Sequence, residues 1–158
     1  MSETRVGLGF DVHAAQEGRT LHLGGVTIPD APGLAGHSDG DVVCHAVADA
    51  VLGAAGLGDI GQHFPETDSA FEGIGGLDLL GRVVAMARDG GCAVSSCDIT
   101  VIAERPAVAP IRDEMRVNLA RVLGTTPDRT SVKATRPEGL GLTGEGVGCI
   151  ALAVLDLA

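Results

Sequence analysis

The sequence of 158 residues predicts one α+β domain spanning 1–158, with a four-stranded mixed sheet, three helices on one face of it and a small hairpin near the N-terminus. Three observations predict this fold. Segments in which apolar residues alternate with polar ones, the period of a strand, are interleaved with segments in which they recur every three or four residues, the period of a helix. The last segment is apolar on both sides, so both faces of its sheet must be covered, and three helices suffice for only one; another subunit is expected on the other. Finally, a chain of this length with 45% hydrophobic residues buries roughly 68–70% of its unfolded surface, so it folds without a disulfide or metal.

The elements follow in order. Over residues 5–13, Val6, Leu8, Phe10 and Val12 share one face, while Arg5, Gly7, Gly9, Asp11 and His13 form a polar, glycine-thinned face. Leu21–Leu23 and Val26–Ile28 flank Gly24-Gly25 as a hairpin, and Pro29 to Gly36 reads as a turn. Asp41–Ala55 carries Val43, Val47, Ala50, Val51 and Ala54 at helical spacing and closes on Gly56 and Gly58. Asp59 to about Gly76 lacks periodicity and reads as a loop. Leu77–Arg88 is a second helix, ended by Gly90-Gly91, and Asp98–Glu104 a strand. Pro110–Leu123 is a third helix with Ile111, Met115, Leu119 and Val122 inward. Strands at Ser131–Thr135 and Val147–Leu157 finish the chain; in the last, Cys149, Ala151, Ala153 and Leu155 oppose Ile150, Leu152, Val154 and Asp156.

Composition excludes several functions. The net charge is -10, Lys133 is the one lysine, and aromatics are 2% of the chain (Phe10, Phe64, Phe71), so neither a basic face nor a stacking platform exists for nucleic acid, and anionic membranes repel it. No segment has the roughly 18 apolar residues of a membrane span, and Met1-Ser-Glu-Thr-Arg5 does not begin a secretion signal; the expected location is the cytoplasm. Cys44, Cys92, Cys97 and Cys149 form no C-x-x-C pair and read as reduced, buried thiols.

Asp11 and His13, at i and i+2 of a strand, project from one face, the arrangement of two ligands to one metal. His45 lies one turn after Asp41 and one turn before Asp49. An Asp11-His13-His45 set would leave a fourth tetrahedral position open, with Asp41 or Asp49 orienting His45 from behind. The competing reading makes Asp41 a helix cap and His45 a satisfied core histidine. His37-Ser38-Asp39-Gly40-Asp41 likewise reads either as a phosphate seat at a helix start or as ordinary capping. Two G-x-G-x-x-G matches, from Gly56 and from Gly139, lack the strand-then-helix setting of a dinucleotide site. His22 and His63 have no partner at ligand spacing and read as surface residues.

Taken together, Gly9-Phe-Asp-Val-His13, His37-Ser-Asp-Gly-Asp41 followed by His45, Gly58-Asp-Ile-Gly61, Phe64-Pro-Glu-Thr-Asp68, Lys133-Ala-Thr135 and Glu138-Gly-Leu-Gly-Leu142 resemble the 2-C-methyl-D-erythritol 2,4-cyclodiphosphate synthase family along nearly the whole chain. The resemblance implies a homotrimer, with sheets packed around a threefold axis and active sites between subunits. It implies a reaction in which the 2-phosphate of 4-diphosphocytidyl-2-C-methyl-D-erythritol 2-phosphate attacks the β-phosphorus and expels CMP, a step of the non-mevalonate isoprenoid pathway. It assigns Asp11, His13 and His45 to zinc and Glu138 to a second divalent ion, Mg or Mn. His37 becomes a transition-state stabiliser, with Val12 and Ser38 also beside the substrate. By the same resemblance Asp59, Ile60 and Gly61 would bind the erythritol hydroxyls, Phe64, Pro65, Glu66, Thr67 and Asp68 would form a substrate loop, and Gly7, Gly9, Gly58 and Gly61 would fall where backbone comes close to ligand. Ala103, Glu104, Arg105, Pro106, Ala107, Val108, Ala109 and Thr135 form the cytidine pocket, mostly through backbone.

The chain also departs from the family pattern. Thr135-Arg136-Pro137-Glu138 replaces Thr-Thr-Thr-Glu, so Arg136 stands in for a catalytic hydroxyl and could serve a phosphate as a guanidinium. Ala107 replaces a common lysine, and Glu72 and Gly76 stand where a Lys and a Ser often approach the substrate. Leu142 and Glu145 complete the substrate-binding residues that the resemblance implies; near the axis, Glu145 replaces an arginine linked to prenyl diphosphates, so loss of that ligand is expected. An active cyclase is the first reading. A trimeric metal-binding scaffold that has lost turnover and a zinc phosphohydrolase are the alternatives.

Overall fold

The computed structural model describes residues 3–141 and 143–157. Its main sheet has five strands in the order β4-β1-β7-β5-β6, where β1 is Thr4–Gln16, β4 Gly33–Leu34, β5 Cys92–Ala103, β6 Thr130–Thr135 and β7 Gly146–Leu157. β5 and β6 run parallel and the remaining neighbours antiparallel. β2 (Leu21–Leu23) and β3 (Val26–Ile28) form the separate hairpin. The fifth strand falls in the stretch read as a turn. It pairs only Ala15 with Leu34 and Gln16 with Gly33, too short a ladder to leave a period in the sequence.

The helices are α1 (Val42–Ala55), a single turn α2 (Ile60–His63), α3 (Gly76–Asp89) and α4 (Arg112–Leu123). α2 and a 3-10 turn at Ser69–Phe71 lie inside the stretch read as a loop, since elements this short carry no periodic signal. The third helix begins later than Pro110, because Ala109–Ile111 is a 3-10 turn. Its buried residues are Met115, Leu119, Ala120 and Leu123, while Ile111 and Val122 are only partly covered. β5 starts at Cys92 rather than Asp98; a register shift between Val94 and Ser96 breaks the alternation that would have revealed its first half.

α1 is buried almost all round, lying on β1 and β7 and beneath α3. Cys149, Ala151, Ala153 and Leu155 of β7 face it, fully buried. The packing is close because β1 turns its glycines toward the helix: a Cβ on Gly7 would sit 1.9 Å from the Ala50 carbonyl oxygen, and one on Gly9 1.8 Å from that of Ala46. These two glycines therefore serve helix-on-strand contact, not approach to a ligand. The opposite face of the sheet carries Val6 (60% exposed), Leu8 (68%), Phe10 (56%), Val12, Ile150 and Leu152 in the open. A contiguous apolar surface of this kind marks a contact face. The four cysteines are free and buried; burial pushes Cys97 up to about 12 and raises Cys44 and Cys149 further from reactivity. No helix among the described residues is long and apolar enough to cross a membrane.

Candidate metal centre

Alternation along β1 puts Asp11 and His13 on its helix-facing side, and α1, drawn onto the strand by Gly7 and Gly9, brings His45 down to meet them. Asp11 Oδ2 lies 2.8 Å from His13 Nε2 and 3.1 Å from His45 Nδ1, and the two ring nitrogens are 3.3 Å apart. A tetrahedral ion with ligands at 2.0–2.1 Å has donor atoms about 3.3 Å from one another, so these three surround a point where a divalent metal fits. Among the described residues this is the one cluster of three His, Cys, Asp or Glu side chains able to hold a metal.

The ring atoms facing away from that point are also held. His13 Nδ1 meets the Ala35 carbonyl, and His45 Nε2 lies 3.0 Å from Ser38 Oγ. With a proton on each of those nitrogens, both lone pairs aim at the metal point. Without a metal, burial works to raise the Asp11 carboxyl, but hydrogen bonds from both histidines outweigh it and hold Asp11 well below the usual carboxylate range. The His13 imidazole is raised, chiefly by its hydrogen bond to Asp11 and against burial.

The residue behind His45 is therefore Ser38, not Asp41 or Asp49. Asp41 caps α1 through Val43 N and Cys44 N and also accepts from Gly24 N and Gly25 N. Asp49, its pKa raised by burial, accepts the Ile60 N–H at 2.8 Å and so ties α2 to α1. The helix start has little left for a phosphate: Gly40 N donates to Ser38 Oγ, Asp41 N to Asp39 Oδ1, and Asp39 N to the Ile74 carbonyl. Sequence reasoning singled out Ser38 but gave it to substrate; its contact with His45 joins the loop before α1 to the helix itself, a pairing that no helical or strand period encodes.

Beside the metal point lies a pocket of about 270 Å³ lined by Val12, His37, Ser38, Ile60, Gly61, Phe64 and Glu66 together with the three ligands. His37 is half-buried there, with Nε2 3.4 Å from the Asp68 carbonyl. Asp59 caps α2 through Gln62 N, and Phe64 packs edge-on against Phe71 at 5.1 Å. Pro65, Thr67 and Asp68 continue this segment, with Asp68 accepting from Ala70 N.

The remaining candidate residues lie elsewhere. Ala103, Pro106, Ala107, Val108, Ala109, Thr135 and Arg136 line a second pocket, of about 180 Å³, which shares no residue with the first. His13 pairs with Val147 and Val147 with Ala103, so the nearest lining residues of the two pockets stand two strand spacings, about 10 Å, apart across the sheet. Glu104, Arg105 and Glu145 line a third hollow, near Ala15 and Leu34, and Glu104 accepts the Gly139 N–H at 2.7 Å. Pro137 is buried and Glu138 exposed in a left-handed conformation (φ 53°). Leu142 lies outside the described residues.

Residues 4–158 match the YgbB family. The chain is 54% identical over 153 residues to the 2-C-methyl-D-erythritol 2,4-cyclodiphosphate synthase of Trichlorobacter lovleyi, covering 97% of this chain and 98% of that one. It is 52% identical to the synthase of the same name from Geobacillus kaustophilus, covering 97% of each. Among solved structures, a 2C-methyl-D-erythritol-2,4-cyclodiphosphate synthase in a CDP-bound form superposes with a TM-score of 0.89 at 35% identity, over 96% of this chain and 100% of that chain. The bifunctional IspDF of Campylobacter jejuni superposes with a TM-score of 0.94 at 40% identity; all of this chain corresponds to 43% of that larger protein.

Proposed function

Because the chain belongs to the YgbB family, whose relatives above are 2-C-methyl-D-erythritol 2,4-cyclodiphosphate synthases, we propose that it closes the cyclic diphosphate of that product and releases CMP. In 4-diphosphocytidyl-2-C-methyl-D-erythritol 2-phosphate the 2-phosphate oxygen bonds to the β-phosphorus while the bond to the bridging oxygen of the α-phosphate breaks, and CMP leaves with that oxygen. The step is a phosphorus–oxygen lyase reaction, carried by one domain, residues 1–158, in the cytoplasm. The observation that carries this reading is the Asp11, His13 and His45 donor set opening onto the pocket of His37 and Ile60.

An intramolecular phosphoryl transfer needs position and charge more than acid–base chemistry, and its nucleophile is already an ionised phosphate. Asp11, His13 and His45 would hold zinc, whose Lewis acidity would be available to the transferring phosphate. Glu138 would lend one carboxylate to Mg or Mn, which would supply further neutralisation of the diphosphate charge. His37 stabilises charge on the transferring group, the Ile60–Gly61 segment orients the diol, and the backbone of 103–109 with Thr135 grips cytidine. Arg136 places a guanidinium at the phosphates.

The two pockets of one chain share no lining residue and stand two strand spacings apart, and the outer sheet face is apolar and open. Both facts support a homotrimer in which the metal pocket of one copy meets the cytidine pocket of the next. The test is incubation of zinc- and magnesium-loaded protein with the cytidyl substrate. CMP with cyclic product is expected; CMP with linear product would make it a hydrolase, and no turnover a binding protein. His45→Ala should abolish zinc retention.

A further inference from the structure

We propose that Arg19 is a positioning residue for the metal centre: its guanidinium locks the Gly36–Ser38 loop so that Ser38 stays in place to accept the His45 Nε2 proton. The inference rests on the reading of Asp11, His13 and His45 as metal ligands, and no resemblance or motif assigns Arg19 a role.

His45 presents Nδ1 to the other two ligands. It can bind a metal there only with its proton on Nε2, and Ser38 Oγ, at 3.0 Å, is the acceptor in reach of that proton. The hydroxyl is buried and already accepts the Gly40 N–H at 3.1 Å, so its lone pairs are directed by the loop backbone. A displacement of that backbone by a fraction of an ångström would cost His45 its partner.

Arg19 prevents the displacement. Its Nη1 donates to the Gly36 carbonyl at 2.6 Å and its Nη2 to the Ser38 carbonyl, so one planar group straddles His37. The His37 carbonyl itself accepts the Gly73 N–H at 2.9 Å, completing the pinning of three successive carbonyls. Among the described residues the guanidinium has no carboxylate partner within salt-bridge reach; both observed bonds go to the loop. Arg19 is in turn held from behind. Its carbonyl accepts the Gly33 N–H at 2.9 Å, and any Cβ on Gly33 would lie 2.7 Å from the Arg19 Cβ. A lysine has no rigid fork and would reach one carbonyl at a time.

The test uses the full chain with Arg19→Met, Arg19→Lys, Ser38→Ala and the double variant Arg19→Met/Ser38→Ala. Zinc affinity is read by chelator competition and the His45 tautomer by imidazole ¹⁵N chemical shifts. Removing a group that orients a metal ligand costs 10–100-fold in affinity, so Arg19→Met should weaken zinc by about tenfold or more, with Arg19→Lys recovering part. The double variant should bind zinc no more weakly than Ser38→Ala alone, since Arg19 acts through Ser38. Affinity of Arg19→Met within twofold of the native chain, or losses that multiply in the double variant, would overturn the proposal. If Arg19→Met does not fold, Arg19→Lys with and without Ser38→Ala gives the same comparison. A native chain that fails to bind zinc sinks the ligand assignment itself; native binding with an indifferent Arg19 sinks only this inference.

Discussion

Gly9→Ala is a one-carbon change on a strand, yet it should dismantle the metal centre. A Cβ at Gly9 would lie 1.8 Å from the Ala46 carbonyl oxygen, 2.7 Å from Ala50 N and 2.9 Å from the Ala46 carbonyl carbon. The first distance falls about 1.6 Å inside the 3.4 Å of ordinary contact, and every atom met is backbone, so no side chain can rotate out of the way. α1 must therefore lift from β1. His45 precedes Ala46 on that helix, whereas Asp11 and His13 stay with the strand, so a shift of an ångström separates donors that now lie 2.8–3.3 Å apart. Metal sites tolerate about 0.2 Å in ligand distance. Overpacking of this kind costs about 1–3 kcal/mol, and with no flexible neighbour the upper end is expected. Thermal unfolding of the metal-free protein reads the stability, and chelator competition reads zinc. Gly53→Ala is the control: nothing lies within 4 Å of its Cβ position in the same helix, so it should gain up to about 1 kcal/mol with zinc affinity intact. Native zinc affinity in Gly9→Ala would refute the claim that this glycine sets the helix-to-strand distance.

Three further outcomes are expected. In metal-free protein, His13 is raised and Asp11 lowered, so their pairing stabilises fully between about pH 4 and 6.5; it fades above as His13 deprotonates and below as Asp11 protonates, whereas zinc retention increases with pH because its ligands must be deprotonated. Melting temperatures with chelator and with zinc across pH 3–9 check this, and His13→Ala should flatten the metal-free profile on its alkaline side. Leu8→Asp, at a position 68% exposed on the open sheet face, should break the proposed trimer into monomers by light scattering and remove activity with it; an active, trimeric Leu8→Asp would disprove the packing proposed for that face. Arg136→Ala should lower kcat by tenfold or more while zinc affinity stays native, since Arg136 lines the other pocket; an unchanged kcat would show that its guanidinium does not reach the phosphates.

The ligand set was legible because its signals are local. Asp11 and His13 share a strand face by period two, and His45 stands at a helical spacing that the cap Asp41 and the glycine stop at Gly56 delimit. Glu138 and Arg136 could be named by likeness but not placed, since the turns around Gly139 and Gly141 obey no repeating period. Arg19 carried no signal at all: a lone arginine between a strand and a hairpin looks like any solvated residue until Gly36 and Ser38 fold over it.

By itself the sequence determined the order and type of the longer elements, the residues that share each face and the absence of a basic or aromatic surface, and through its likeness to a family it named the three side chains able to share a metal. Only the tertiary structure decided which face of β1 turns inward, because alternation groups residues without saying which group is covered. It turned Gly7 and Gly9 from presumed ligand neighbours into the contact that seats α1. It also set the pocket beside Asp11, His13 and His45 two strand spacings from the pocket lined by Ala103 and Thr135, a distance that arises from strand order and that no local pattern of residues contains.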